Sequence, residues 1–184
     1  MMRLLVVFLA IAVLLPSAAF AQVGTVALFA DPAGIDCNVW DIPGILNIYV
    51  VYIWHGGAAG VEFSAPQPAC AIGLVWLSDI PVFPVTIGNS QMGVAIGFGA
   101  CYAAPTHVLT IQYFAQGITP PCCRYEVRPD PGVPSGQIEA YNCVPELVYP
   151  TPGRAFINPD PSCMCNSPVP VEETSWGQIK ALYE

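Results

Sequence analysis

Eight cysteines are the residues of this chain best suited to chemistry: Cys37, Cys70, Cys101, Cys122, Cys123, Cys143, Cys163 and Cys165. Thiols at short spacing can hold a metal, and structural zinc asks for C-x2–4-C pairs. This sequence offers only Cys122-Cys123 and Cys163-Met164-Cys165. The N-terminus argues for export, and an even cysteine count in an exported chain predicts a disulfide framework instead. Adjacent trans residues lie about 3.8 Å apart at Cα, short of the roughly 4.4–6.8 Å that a disulfide spans. Cys122 and Cys123 are therefore expected to pair outward, with Cys143, Cys163 and Cys165 as the nearest candidates. Cys70 and Cys101 bracket a run of strands and are expected to pair with each other.

Other reactive groups are sparse. Asp31, Asp36 and Asp41 share a loop-rich stretch with Asn38, and carboxylates so grouped can hold calcium through oxygen ligands. Aspartates that merely form turns account for the same spacing. Glu62 and Glu139 both point outward from strands, the one pair a glycoside hydrolase could use across a cleft. His55 precedes Gly56-Gly57 at a turn and His107 starts a strand, so both read as edge residues. The segment Gly88-Asn89-Ser90-Gln91-Met92-Gly93 approaches the G-x-S-x-G elbow, but its second glycine comes one place late. A polar turn between two strands explains it. No H-E-x-x-H, P-loop or EF-hand pattern occurs, and Gly97-Phe98-Gly99 lacks the βαβ setting of a dinucleotide site. No catalytic residue and no cofactor is assigned. Binding has better candidates: Trp40 and Trp54 could stack on a sugar or an apolar partner, although strand periodicity places Trp54 and Trp76 toward a core. The bare run Gly93-Ala95-Gly97 would let another backbone come close.

The elements that must position these residues are strands. Twenty prolines and sixteen glycines cut the body into short segments. Thr25 to Ala30 forms a first strand. Leu46 to Trp54 is apolar on both alternating sets, which fits a sheet centre covered on both sides. Val61 to Phe63, Ile72 to Leu77, Val82 to Ile87 and Met92 to Phe98 continue the series. In His107 to Phe114, the residues Leu109, Ile111 and Tyr113 are expected to point inward and Thr110 and Gln112 outward. Shorter strands follow around 125–128, 137–141, 147–149 and 154–157, separated by turn-rich "RPDPGVPSG", "YPTPG" and "NPDPS". Many short strands without intervening helices predict an all-β, antiparallel β-sandwich, immunoglobulin-like with Greek-key connections, and a jelly roll as the second arrangement. This domain is expected over residues 22–165.

Both ends differ from the body. Arg3, the apolar run Leu4 to Leu15, Pro16-Ser17 and Ala19-Phe20-Ala21 compose a signal peptide over residues 1–21, with a mature start near Gln22. The apolar run is too short to span a bilayer, which takes about 20 residues. Residues 166–173 form a proline-rich acidic linker. Residues 174–184 open with the S-x-x-Q capping box Ser175-Trp176-Gly177-Gln178 and form a short helix with Trp176, Ile179, Leu182 and Tyr183 on one side. Too short to be stable alone, that helix must dock.

Apolar residues make up 54% of the chain and charged ones 10%, which excludes a disordered body. Loss of Arg3 leaves four basic residues against 13 acidic ones, a net charge of about −9. Phosphate backbones demand clustered Lys and Arg, so nucleic acid is excluded as a partner, and an anionic membrane surface with it.

The segments "GTVALFADPAG", "PVFPVTIGNSQMGVAIGFGAC" and "PVEETSWGQIKALYE" resemble a group of uncharacterised secreted bacterial proteins. These share a signal peptide, a cysteine-containing β body and a Trp-Gly-x-x-Lys-Ala-Leu-Tyr tail. The resemblance brings no activity, ligand or catalytic residue, and its tail looks like a detachable module suited to sorting or assembly. The expectation is a non-enzymatic structural, adhesive or binding module of the cell exterior, in the periplasm, on the surface or secreted. Its partner would be another extracellular protein or a glycan; carbohydrate recognition is the alternative, and a secreted hydrolase the third.

Overall fold

Valine, isoleucine and tyrosine in alternation, punctuated by proline and glycine, fold here into strands throughout. The computed structural model describes residues 24–53 and 56–165. The signal peptide, Trp54, His55, the proline-rich linker and the expected tail helix with Trp176, Ile179, Leu182 and Tyr183 lie outside the described residues. Thirteen strands run in order: β1 (Thr25–Phe29), β2 (Asn38–Val39), β3 (Gly44–Ile53), β4 (Ala58–Phe63), β5 (Leu74–Pro81), β6 (Val85–Asn89), β7 (Gly93–Tyr102), β8 (Thr106–Ala115), β9 (Cys123–Glu126), β10 (Glu139–Asn142), β11 (Leu147–Val148), β12 (Thr151–Pro152) and β13 (Arg154–Ile157). No helix occurs among the described residues.

One sheet has the order β12-β1-β3-β8-β5, the second β11-β10-β4-β7-β6, and a small third sheet β2-β13-β9 closes one flank. Pairing is antiparallel except at β1–β12 and β2–β13, which are parallel. From β3 to β6 each successive strand switches sheets, the crossover habit of a Greek-key sandwich and not of a meander. Side chains alternate across each strand, so Val26, Leu28, Ile48, Val50, Tyr52, Leu109 and Ile111 of the first sheet face Val61, Phe63, Val94, Ile96 and Ala140 of the second in one continuous core. The central strand β3 is covered on its other face as well: Val51 packs with Ala27, Phe29, Cys37, Tyr49 and Cys165. Its double apolar character follows from that second cover.

A chain of three hydrogen bonds crosses the core. Gln91 Nε2 donates to Tyr113 Oη, Tyr113 donates to Tyr125 Oη at 2.7 Å, and Tyr125 donates to the Ala65 carbonyl at 2.7 Å. Burial pushes the Tyr113 phenol up to about 12 and that of Tyr125 well above its ordinary value.

All eight cysteines are bonded, as Cys37–Cys165, Cys70–Cys123, Cys101–Cys143 and Cys122–Cys163. The expected Cys70–Cys101 bridge is thereby corrected. Cys70 precedes β5 in the first sheet, Cys101 lies one residue before the end of β7 in the second, and each meets a later segment instead. Cys122 and Cys123 do diverge, but only Cys122 takes one of the three expected partners, Cys163. Cys123 reaches back to Cys70, while Cys143 and Cys165 are held by Cys101 and Cys37. A left-handed backbone at Cys122, φ 59°, helps turn it away from its neighbour. Other differences are local. Ile72 and Val82 stand outside the strands expected to begin with them, because β5 starts at Leu74 and β6 at Val85. Thr110, expected to face outward, is buried beside His107, whose Nε2 lies 3.0 Å from its hydroxyl.

Candidate functional site

One end of the sandwich is organised by a single carboxylate. Asp41 lies in the connection between β2 and β3 and is buried. Its Oδ1 accepts the Gly117 amide at 3.0 Å and its Oδ2 the Thr119 amide at 2.8 Å, both from the segment after β8. Asn158, just past β13, clamps the same group from below: its Oδ1 accepts the Asp41 amide at 2.9 Å and its Nδ2 donates to the Thr119 carbonyl at 2.7 Å. A Cβ on Gly73, just before β5, would sit 2.7 Å from Asp41 Oδ2 and 2.9 Å from Ile118, so glycine there lets a third connection close in. Burial alone raises the Asp41 carboxyl, but hydrogen bonding from Thr119, Gly117 and Ile118 outweighs it and holds the group below its ordinary value.

The consequence appears on the outside. With three loops held by a polar hub, their apolar side chains face solvent: Trp40 and Ile42 flank Asp41, Ile72 precedes Gly73, and Ile118 stands between the two amides that Asp41 binds. Trp40 is 52% exposed and Ile42 69%. Next to them the outer face of the first sheet adds Ile45, which pairs across β3–β8 with Phe114; both are exposed. None of these six side chains carries a charge. Contiguous exposed apolar surface of this kind marks interaction sites, and loops fixed by a rigid scaffold are their usual location.

The opposite end is built differently. There the cleft between the β5–β6 and β7–β8 connections, about 640 Å³, is lined by Phe83, Phe98, Tyr102, Pro105, Thr106 and His107 among others. Phe83 stacks on Phe98 at 4.4 Å and meets Tyr102 edge-on at 4.9 Å, and Phe83 and Phe98 are themselves buried. Burial lowers the His107 imidazole, so it is neutral at physiological pH. Its hydroxyl neighbour Thr110 is buried, and among the described residues no carboxylate hydrogen-bonds to the ring.

The sequence candidates divide accordingly. Trp40 is part of the exposed end. Asp31 accepts the amides of Ala33, Ile35 and Asp36, and Asp36 binds the Asn38 amide and side chain. These are turn-forming aspartates, and Asp41 faces a different segment, so the three do not converge on an ion. Among the described residues the one close grouping of potential ligand atoms is Cys122, Cys163 and Asp160, and there the two cysteines are bonded to each other. Ser90 of the elbow-like segment is buried in the β6–β7 turn, with its hydroxyl donating to Asp79 Oδ1 at 2.8 Å. Glu62 and Glu139 are cross-strand partners on β4 and β10. They stand side by side on an open outer face, not across a cleft. Desolvation, Asp130 and Glu139 together raise the Glu62 carboxyl. The bare run on β7 is partly filled, since a Cβ on Gly93 would overlap the Asp130 carboxylate, while Gly97 meets only Val85. Ile42, Ile72, Ile118 and Phe114 went unread in the sequence. Isoleucine beside proline or glycine in a turn, where polar residues are the rule, was the available signal.

No family model and no curated protein sequence matches the chain. Among solved structures it is similar to the sixth cohesin of scaffoldin B from Acetivibrio cellulolyticus, at 13% identity and a TM-score of 0.46 over 74% of this chain and 99% of that one. A cohesin module from a Clostridium perfringens family 33 glycoside hydrolase aligns at 5% identity and 0.47, over 76% and 99%. A non-cellulosomal cohesin from Archaeoglobus fulgidus gives 10% identity and 0.44, over 73% and 90%.

Proposed function

We propose that this chain is an exported, non-enzymatic binding module of the cell exterior, and that it engages a protein partner through the end built on Asp41. The observation that carries this reading is the charge-free set Trp40, Ile42, Ile45, Ile72, Phe114 and Ile118 on loops pinned by buried hydrogen bonds. Such a surface is held in shape before binding, so little conformational entropy is lost on contact. Its isoleucines offer no hydrogen bonds, so the partner it fits presents an uncharged, apolar face. Catalysis is disfavoured because, among the described residues, no nucleophile, base and orienting acid come together. Export is supported by the leader sequence and by four disulfides, which persist in oxidising compartments.

Sugar stacking on Trp40 is the second reading, favoured by the exposure of that ring on a fixed loop. Retention of proteins from the host envelope on immobilised wild type, Trp40→Ala and Ile118→Ser separates the two, with a glycan array run on the same samples. A specific protein held by wild type and lost with both variants supports the protein-binding reading. Equal retention by all three overturns it. An array signal abolished by Trp40→Ala with Ile118→Ser unaffected moves the assignment to carbohydrate.

A further inference from the structure

The chain leaves the described body from the wall of a groove. The Cys165 amide donates to Asn38 Oδ1 at 3.1 Å, and the Cys37–Cys165 bond fixes the same residue against the outer face of β1. Between that face and the third sheet lies a groove of about 530 Å³, with Cys165 in its lining. Ala27, Phe29, Ile53, Phe156 and Met164 make it apolar. A Cβ on Gly153 would overlap Ala27, so glycine there lets the chain close against β1. The one charged side chain in the lining is Arg154. It is exposed, its guanidinium stands 5.7 Å from the centre of the Phe156 ring, and among the described residues no carboxylate is within ion-pairing distance of it. Its cross-strand neighbour Glu126 pairs with Arg124, and Asp36 binds the amide and side chain of Asn38.

We propose that residues 166–173 fold back into this groove, with Val169 and Val171 on its apolar lining and Glu172 or Glu173 on Arg154, so that the segment after them leaves the body at a fixed point. The match is one of chemistry and position. Immediately beyond Cys165 the sequence runs Asn-Ser-Pro, a turn signal, then Val-Pro-Val-Glu-Glu, apolar residues followed by two acids without a base. A carboxylate on the free Arg154 forms the charge-assisted pair for which a guanidinium is shaped. Distance permits it. Phe156 pairs with Asn38, which holds Cys165, and Arg154 lies two residues back along β13, on the order of 10 Å away by strand dimensions. The seven residues from Cys165 to Glu172 span up to about 22 Å as a polyproline helix. Tethering selects this occupant over a separate peptide of like composition, because a short linker holds its own segment at a roughly millimolar effective concentration. This seat is separate from the Asp41 end and does not depend on what that end binds.

Cleavage of the oxidised chain after Glu172 and Glu173 by a glutamate-specific protease tests it, at about 1 µM chain, far below the roughly millimolar tethered concentration. Cutting of a docked segment follows the population that has come free. Arg154→Glu, which turns attraction into repulsion on an exposed side chain, should speed cleavage about threefold to tenfold at low salt with the thermal transition in place. Val171→Ser should also speed it, and Ile87→Glu, an added acid on the far edge of the second sheet, should not. Equal rates for wild type and Arg154→Glu overturn the proposal, as does equal acceleration by Ile87→Glu. Protection that grows with chain concentration overturns it too, because a neighbouring copy would then be filling the groove.

Discussion

The two ends of the sandwich solve the same closure problem with opposite materials. At one end a buried carboxylate gathers the amides of Gly117 and Thr119 and, with Asn158, ties loops together by hydrogen bonds. At the other, Phe83, Phe98 and Tyr102 close on one another. The aromatic end buries Phe83 and Phe98, with Tyr102 and Val82 left half-exposed at the rim of its cleft. The polar hub needs no apolar cover, so Trp40, Ile42, Ile72 and Ile118 remain outside. A buried charge can thus expose hydrophobic surface, by taking over the cohesive role that those side chains would otherwise fill.

Substitutions at each end break this contrast in different ways. Phe83→Ala removes a buried ring from the aromatic cluster and should cost about 3–4 kcal/mol in chemical denaturation, with partner retention at the far end unchanged. Asp41→Ala leaves the Gly117 and Thr119 amides without their acceptor and should cost about 2 kcal/mol. Because the loops lose their common anchor, retention of the partner should fall with it. Acid provides a reversible version of the same experiment. The Asp41 carboxyl is held below its ordinary value of 3.8 in the folded chain, so its contribution is complete above that pH and is lost as pH falls below it. Asp41→Asn should flatten this part of an acid titration, and a titration unchanged by the substitution would show that the hub is not electrostatic. Trp40→Ala should have the smallest effect on stability, within about 0.5 kcal/mol, and the largest on binding. A marked loss of stability would place that indole in the core instead.

Much of this architecture was legible before the structure. Alternation in 107–114 and the double apolar pattern of 46–53 announced an all-β sandwich with a central strand covered twice, because periodicity reports burial directly. The chemistry of Cys122-Cys123 followed from covalent dimensions alone. What escaped was anything decided by long-range placement. The Cys70 partner depends on where β9 lies relative to β5. Asp41 looked like Asp31 and Asp36 in the sequence, yet they bind their own loop while Asp41 reaches residues 76 and 78 positions away. The outward isoleucines were hidden for a related reason, since apolar character alone does not say which loops a distant carboxylate will hold open.

The Cys37–Cys165 bond joins points 128 residues apart, one at each margin of the described body. Tension applied between the two termini would therefore pass from one sulfur to the other and leave nearly every sheet unloaded. Only the segment ahead of Cys37, which includes β1, could be peeled away. Should this module hold two bodies together at the cell exterior, the strands between those sulfurs would feel no pull until the bridge itself was reduced.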